Sequence, residues 1–391
     1  MKEATKLIHA GDGTDTGQTP SLTTPIYETS TFVFDSAADV IKYTEGKLNG
    51  YLYSRYENPT VVAAEQKLAA VDGAPQALLF SSGMAAISTA LLTLLKAGDE
   101  IVCCSAIYGG TLHILEDLLP KLGILRRFVP LDALANPASV IGPNTRMVWF
   151  ESPINPTLRC IDVGQVAAAC KKAGVVSAID NTFASSINQP VLSMGIDVSM
   201  QSCTKYLNGH SDVTGGVLSG STDLIARMAK MRRLLGGVMD PLPAFNLARG
   251  MKTMALRVAQ HNANALQVAQ YLEQHPQIER VFYPGLRSHP DHSIAKSQMK
   301  GFGGVVTIDV KGGKDGAFRT FDKLKVIKRA ASLGGVESIC SLPILTSQYG
   351  LTDEELAKAG VTKGMIRISI GLEDADDLIA DLDQALVDGR D

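Results

Sequence analysis

Residues Ala77–Leu95 read ALLFSSGMAAISTALLTLL, the most apolar long run in the chain. A membrane-crossing helix needs such a run unbroken. Here Ser81, Ser82 and Gly83 interrupt it, so it reads as a strand, a tight turn and a helix. The same alternation continues downstream. Short apolar runs (EIVCC, MVWFES, VVSAID, VSMQSC) are separated by amphipathic helical stretches such as TLHILEDLLPKLG and DVGQVAAACKKAG. Alternation of this kind predicts an α/β fold with a mostly parallel sheet covered on both faces.

The flanks differ. Residues 1 to about 60 show little periodicity and many Thr, Pro, Gly and Tyr, as in an arm that needs another surface to order it. The Gly-rich GGVLSGS closes the α/β region, and a helical stretch runs from Pro243 to Gln274. Strands IERVFYP, GGVVTIDV and MIRISIG then mix with helices DGAFRTFDKLK and DADDLIADLDQAL, which predicts a smaller α+β domain. A chain of 391 residues is long for one core. The expected division is an arm over 1–60, an α/β domain over 61–242 and an α+β domain over 243–391.

The net charge is -3 and no basic block stands out, which argues against nucleic acid and acidic membrane surfaces as partners. The opening MKEATKLIHAGDGTD lacks the apolar core of a signal peptide, so a cytoplasmic location is expected. The six cysteines form no C-x-x-C, and no histidine spacing completes a zinc pattern. Reduced thiols and no metal are therefore expected. GFGGVV precedes a strand and opens no helix, so the dinucleotide fingerprint fails. Cys103 and Cys104 lie in a strand without a matched histidine, which reads as structural, not nucleophilic.

In open α/β sheets, functional residues collect in loops at the carboxyl ends of strands. Three such loops stand out. FSSGMAA opens a helix with small residues, leaving free N–H groups and the positive end of the helix dipole for a phosphate. AIDNTFAS ends an apolar strand on Asp180, whose carboxylate needs a partner and suits holding a proton on a ring nitrogen. SCTKY places Lys205 after Ser202 and Thr204, whose hydroxyls can join the Ser82–Gly83–Met84 turn on one phosphate. Singly, each loop reads as a helix cap or a loop-fixing side chain. Together and in this order they describe a pyridoxal phosphate site: phosphate cup, pyridinium partner and Schiff-base lysine.

The chain resembles the transsulfuration family of pyridoxal phosphate enzymes of Cys/Met metabolism. The resemblance spans nearly the whole chain and rests on YSRYENPT, SSGMAAI, IYGGT, ESPINPTLRCIDV, IDNTFAS, SCTKYLNGHSDVTGG, RGMKTMALRV, GFGGVV, SLGGVES and IRISIGLED. It implies an aspartate-aminotransferase-like fold and homotetramers built from pairs with shared sites. It also implies roles. Lys205 is the imine lysine and proton shuttle, Asp180 pairs with the pyridine nitrogen, and Tyr108 stacks on the ring. Ser82, Gly83, Met84, Ser202 and Thr204 hold the phosphate, which Tyr53 and Arg55 reach from the neighbouring subunit. Arg367 takes the substrate carboxylate, aided by Ser332 and Asn155; a guanidinium fork suits that task.

The chain departs from the family at the distal end of the substrate. Family members that act on cystathionine or O-succinylhomoserine usually carry an acid before YSR, an arginine shortly after YGGT and a glutamate before SLGG. Leu52, His113 and Ala331 stand there instead, and Gly110 stands where methionine γ-lyases usually have cysteine. Glu57 occupies a position that is usually small. It reads as either a solvated surface side chain or an anion near the mouth of the neighbour's pocket. These departures point to γ-elimination on an amino acid with a neutral or cationic Cγ group, methionine-like or canavanine-like, with Glu57 or His113 as contacts. The alternative is γ-replacement, by a cystathionine γ-synthase or a homoserine-ester sulfhydrylase.

Overall fold

In the computed structural model, which describes residues 1–12 and 21–387, the apolar runs pair into a seven-stranded sheet. Its strands are β1 Gln76–Phe80, β2 Glu100–Cys104, β3 Leu125–Val129, β4 Thr145–Glu151, β5 Val176–Asp180, β6 Val198–Ser202 and β7 Gly216–Gly220. Their spatial order is β1-β7-β6-β5-β4-β2-β3. Strands β2 to β6 pair in parallel, and β7 runs antiparallel to both β1 and β6. The predicted mostly parallel sheet is present. Sequence reasoning passed over β3, LRRFV. It is an edge strand with two arginines and an exposed start, so it lacks the continuous apolar run that marks the central strands.

Both faces are covered, for reasons written locally. Helix Gly83–Leu94 starts where the Ser82 hydroxyl accepts the Ala85 N–H at 3.0 Å, and buries Ala86, Ile87, Ala90 and Leu91. Helix Pro59–Asp72 starts with an Asn58 cap and Pro59 in its first turn, and ends on Gly73 in the left-handed conformation. It buries Val61, Ala64 and Leu68 in a second core that also holds Tyr206, Leu207 and Met251.

The second sheet contains β8 Ile278–Phe282, β9 Val305–Val310, β10 Lys328–Arg329, β11 Ile339–Ser341 and β12 Met365–Ser369, in the order β10-β11-β12-β9-β8. Helices Gly313–Lys323 and Ala375–Leu386 pack with it, which gives the predicted smaller α+β unit. The single helical stretch read over Pro243–Gln274 is two helices, Pro241–Met251 and Met254–Glu273. At the break, the Arg257 guanidinium donates to the Gly250 carbonyl at 2.8 Å and so takes an acceptor from the helix ladder.

The arm divides in two. Its first helix, Glu3–His9, seats buried Leu7 on the chain's own core, where the Lys67 ammonium caps the carbonyls of Leu7 and Ile8 at 2.9 and 3.1 Å. Between Ser21 and Glu57 most side chains are exposed, Leu22, Val33 and Ile41 among them. Among the described residues, no helix is long and apolar enough to cross a membrane.

Candidate active site

The carboxyl ends of β4, β5 and β6 meet the second sheet at one place. Lys205 lies in the turn Cys203–Leu207 that follows β6, and its backbone leaves the helical region there, with φ -98° and ψ -134°. The Lys205 Nζ donates to the Ser332 hydroxyl at 2.8 Å, joining residues 127 apart in sequence. Arg367 rises from β12 into the same place. Its Nη1 donates to the Asn155 side-chain oxygen at 2.9 Å, and its Nη2 to the Ser332 carbonyl at 3.0 Å. The Phe183 ring lies 5.9 Å from its guanidinium carbon. Ser332 thus bridges an amine and a guanidinium.

Charge at this site is tuned by burial. Lys205 is pushed down to about 8 by burial and by nearby Arg367, against the pull of Asp180. Burial also pushes Arg367 down to about 10. Asp180 is pushed up, mainly by burial; the Thr182 N–H at 3.0 Å and the Lys205 charge act the other way. An amine with its pKa near 8 is half-neutral under mild conditions, as a proton carrier requires.

The three loops read from the sequence converge. A Cβ placed on Gly83 would lie 3.1 Å from the Met200 side chain and 3.7 Å from that of Ser202, so the helix start packs directly on the end of β6. A Cβ on Gly216 would lie 2.5 Å from the Ser82 carbonyl oxygen and 2.8 Å from the Gly83 Cα. The glycines make a cradle too tight for side chains. It is edged by the Ser82, Ser202 and Thr204 hydroxyls and by the amides of Gly83 and Met84, which as first-turn residues have no helical carbonyl to bond. The Thr204 hydroxyl accepts the Gly215 N–H at 3.1 Å and keeps its own hydrogen to donate. This donor set, with an amine and a carboxyl one loop away on either side, fits pyridoxal phosphate. The cup can hold the phosphate, Asp180 the ring nitrogen and Lys205 the aldehyde carbon.

Tyr108 precedes a short helix whose Gly110 is hemmed in by the Tyr108 ring and the Met84 sulfur, so ring and cup are neighbours. Its backbone N–H donates to a side chain that sequence reasoning missed, the buried Glu151 carboxyl, at 2.7 Å. The signal was present: Glu151 ends the apolar strand MVWFE as Asp180 ends its own.

Other expected residues lie elsewhere in this chain. Arg55 donates to the Arg233 carbonyl at 2.7 Å and stacks over the Tyr56 ring. With Tyr53 it lines a cleft of about 360 Å³ beside Glu28, Met239 and Asp240. Glu57 pairs with Arg233 at 3.3 Å, so its charge is already compensated on an exposed surface. His113 is exposed, with its Nδ1 3.7 Å from Asp117. The six cysteines are buried and unpaired.

The family model described as "Cys/Met metabolism PLP-dependent enzyme" matches residues 4–387. The chain is 41% identical over 381 residues to cystathionine gamma-synthase 1, chloroplastic, of Nicotiana tabacum, covering 97% of this chain and 71% of that one. It is 40% identical over 385 residues to the L-methionine gamma-lyase of Fusobacterium nucleatum subsp. polymorphum, covering 98% of this chain and 97% of that one. The crystal structure of metB from Corynebacterium glutamicum superposes with a TM-score of 0.91 at 36% identity, covering 99% of this chain and 98% of that one. Taken with a cradle, an amine and a carboxyl that suit the cofactor, these matches place the chain in the Cys/Met metabolism family of pyridoxal phosphate-dependent enzymes.

Proposed function

We propose that this enzyme is a γ-lyase acting on an L-amino acid with a heteroatom leaving group at Cγ. The observation that carries the reading is the Ser332 bridge: Lys205 Nζ sits on its hydroxyl at 2.8 Å and Arg367 Nη2 on its carbonyl at 3.0 Å. A substrate carboxylate held by Arg367 has its α-carbon one bond away, beside the Lys205 amine. Pyridoxal phosphate, when bound, supplies the electron sink for a carbanion at Cα. Asp180 keeps the proton on the ring nitrogen. The Lys205 amine would carry protons between Cα, Cβ and the bound cofactor, and so be free to act as base a second time. The Tyr108 hydroxyl protonates the departing heteroatom. Water completes the balance, giving the released thiol, alcohol or hydroxyguanidine together with either 2-oxobutanoate and ammonia or, where water adds at Cγ, a homoserine-type product.

Leu52 and Ala331 leave the distal pocket without fixed charge, and exposed His113 is a poor substitute for an arginine fork. A methionine-like or canavanine-like side chain suits such a pocket better than cystathionine. A charge difference of this kind moves specificity by a few kcal/mol, about 10²-fold. The second reading, γ-replacement, is favoured by the similarity to the tobacco synthase. A turnover panel separates them: methionine, homocysteine, cystathionine, canavanine and O-acetyl-, O-succinyl- and O-phosphohomoserine, with and without cysteine or sulfide. Ketoacid release from methionine or canavanine supports the lyase. Preference for cystathionine, or thioether formation from O-succinylhomoserine and cysteine, shows that Leu52, His113 and Ala331 were misread.

The assembly follows from the arm. Its exposed apolar side chains need a covering surface, and Tyr53 and Arg55 are available to a neighbour's phosphate cup. The proposed state is a cytoplasmic homotetramer, a dimer of dimers with sites shared within each pair. Mixing Arg55→Ala and Lys205→Ala variants should restore activity, because a hybrid pair contains one intact site. No recovery after verified subunit exchange would rule out shared sites.

A further inference from the structure

Glu151 and Asp180 are register partners at the ends of parallel β4 and β5. Their side chains therefore leave the same face of the sheet, on strands about 4.8 Å apart. Glu151 is 4% exposed, and its carboxyl accepts the Tyr108 N–H at 2.7 Å. Asp180 receives the Thr182 N–H and is drawn toward its charged form by Lys205. A buried carboxyl and the half-buried one beside it, shielded from bulk water, do not both ionise. The proton belongs on the one without the cation.

We propose that Glu151 is a positioning residue that stays neutral beside Asp180: its carboxyl anchors Tyr108 over the site and leaves Asp180 as the one anion available to the ring nitrogen. The inference rests on the roles given above to Asp180, Tyr108 and Lys205. Burial, reinforced by the Asp180 charge, pushes Glu151 well above the usual carboxylate range. The other ionisable groups around the pair are Tyr108, Lys205 and the Cys103 and Cys104 thiols of β2. Burial raises both thiols, Cys104 to about 11. Lys205, pushed down to about 8, titrates beside the two carboxyls.

The lone tryptophan, Trp149, stands two residues before Glu151 on β4 and so shares its face. Its emission in the cofactor-free protein reports the pair without catalysis. Wild type should show a step above the ordinary glutamate range. Asp180→Asn should move that step toward 4.5, the ordinary value, by removing the neighbouring charge. Glu151→Gln should abolish it. In the holoenzyme, Glu151→Leu should lower turnover about 10- to 100-fold by freeing Tyr108. Glu151→Gln, an uncharged isostere that still accepts the Tyr108 N–H, should recover most of that loss. A wild-type step at the ordinary glutamate value, or one that survives unmoved in Glu151→Gln and is not the Lys205 step (recognised by its loss in Lys205→Met), overturns the proposal. So does a Glu151→Gln variant as impaired as Glu151→Leu, since Glu151 would then act as an anion. If Glu151→Leu does not fold, the emission titration still decides. An error in the Lys205 assignment shows in turnover alone and leaves the emission step in place, so the two failures are distinguishable.

Discussion

Replacing Lys205 with alanine should lower turnover about 10²- to 10⁴-fold. This amine, the proposed proton carrier, lies near both Arg367 and Asp180, and no other lysine hydrogen-bonds to Ser332 among the described residues. The same amine leaves a signature in stability. Its folded-state pKa of about 8 lies below the ordinary 10.5, so below pH 8 the folded protein carries a disfavoured half-buried cation. Between pH 8 and 10.5 the folded state releases the proton while the unfolded chain keeps it, so stability rises with pH across that window. Lys205→Met removes the liability. The cofactor-free variant should be more stable than wild type at pH 7 by up to about 3 kcal/mol, and the gap should close by pH 10.5. Urea unfolding at pH 7 and pH 10 measures it. A gap that does not change with pH would mean that Lys205 is solvated.

Replacing Arg367 with leucine should lower kcat/KM by about 2–5 kcal/mol, or about 30- to 5000-fold. The guanidinium is held on two sides, by the Asn155 oxygen and the Ser332 carbonyl, so its remaining N–H groups are aimed before substrate arrives. Most of the loss should appear in KM, because a carboxylate is held alike before and during reaction. Arg367→Lys keeps the charge without the fork and should recover only part. A loss of equal size on an amine substrate that lacks the carboxylate would assign Arg367 another task.

The sheet, and the polar loops at its strand ends, were legible in the sequence because each leaves a local mark. Parallel strands buried on both faces are continuous apolar runs, and a polar residue at or just past the end of one is conspicuous, as with Asp180 and Lys205. Glu151 carries the same mark at the end of MVWFE, and its value emerges only through its register with Asp180 on the next strand. What has no local mark is contact between distant segments. The Lys205–Ser332 bond spans 127 positions and the Arg367–Asn155 bond 212, and no periodicity encodes either. Those pairings rested on resemblance alone. Edge strand β3 was lost for the opposite reason: its two arginines, one exposed and one paired with Glu100, interrupt the apolar run that marks a strand. Glu57 shows the limit of reading charge without neighbours, since Arg233, 176 positions away, neutralises it.

The central claim is that Lys205 is the lysine that carries the cofactor. Borohydride reduction of the holoenzyme, followed by digestion and peptide mass mapping, tests it most directly. The account predicts a phosphopyridoxyl label on Lys205 and an unlabelled Lys67, a buried amine that is also pushed down to about 8. A label on Lys67 or any other lysine, with Lys205 unmodified, would contradict it.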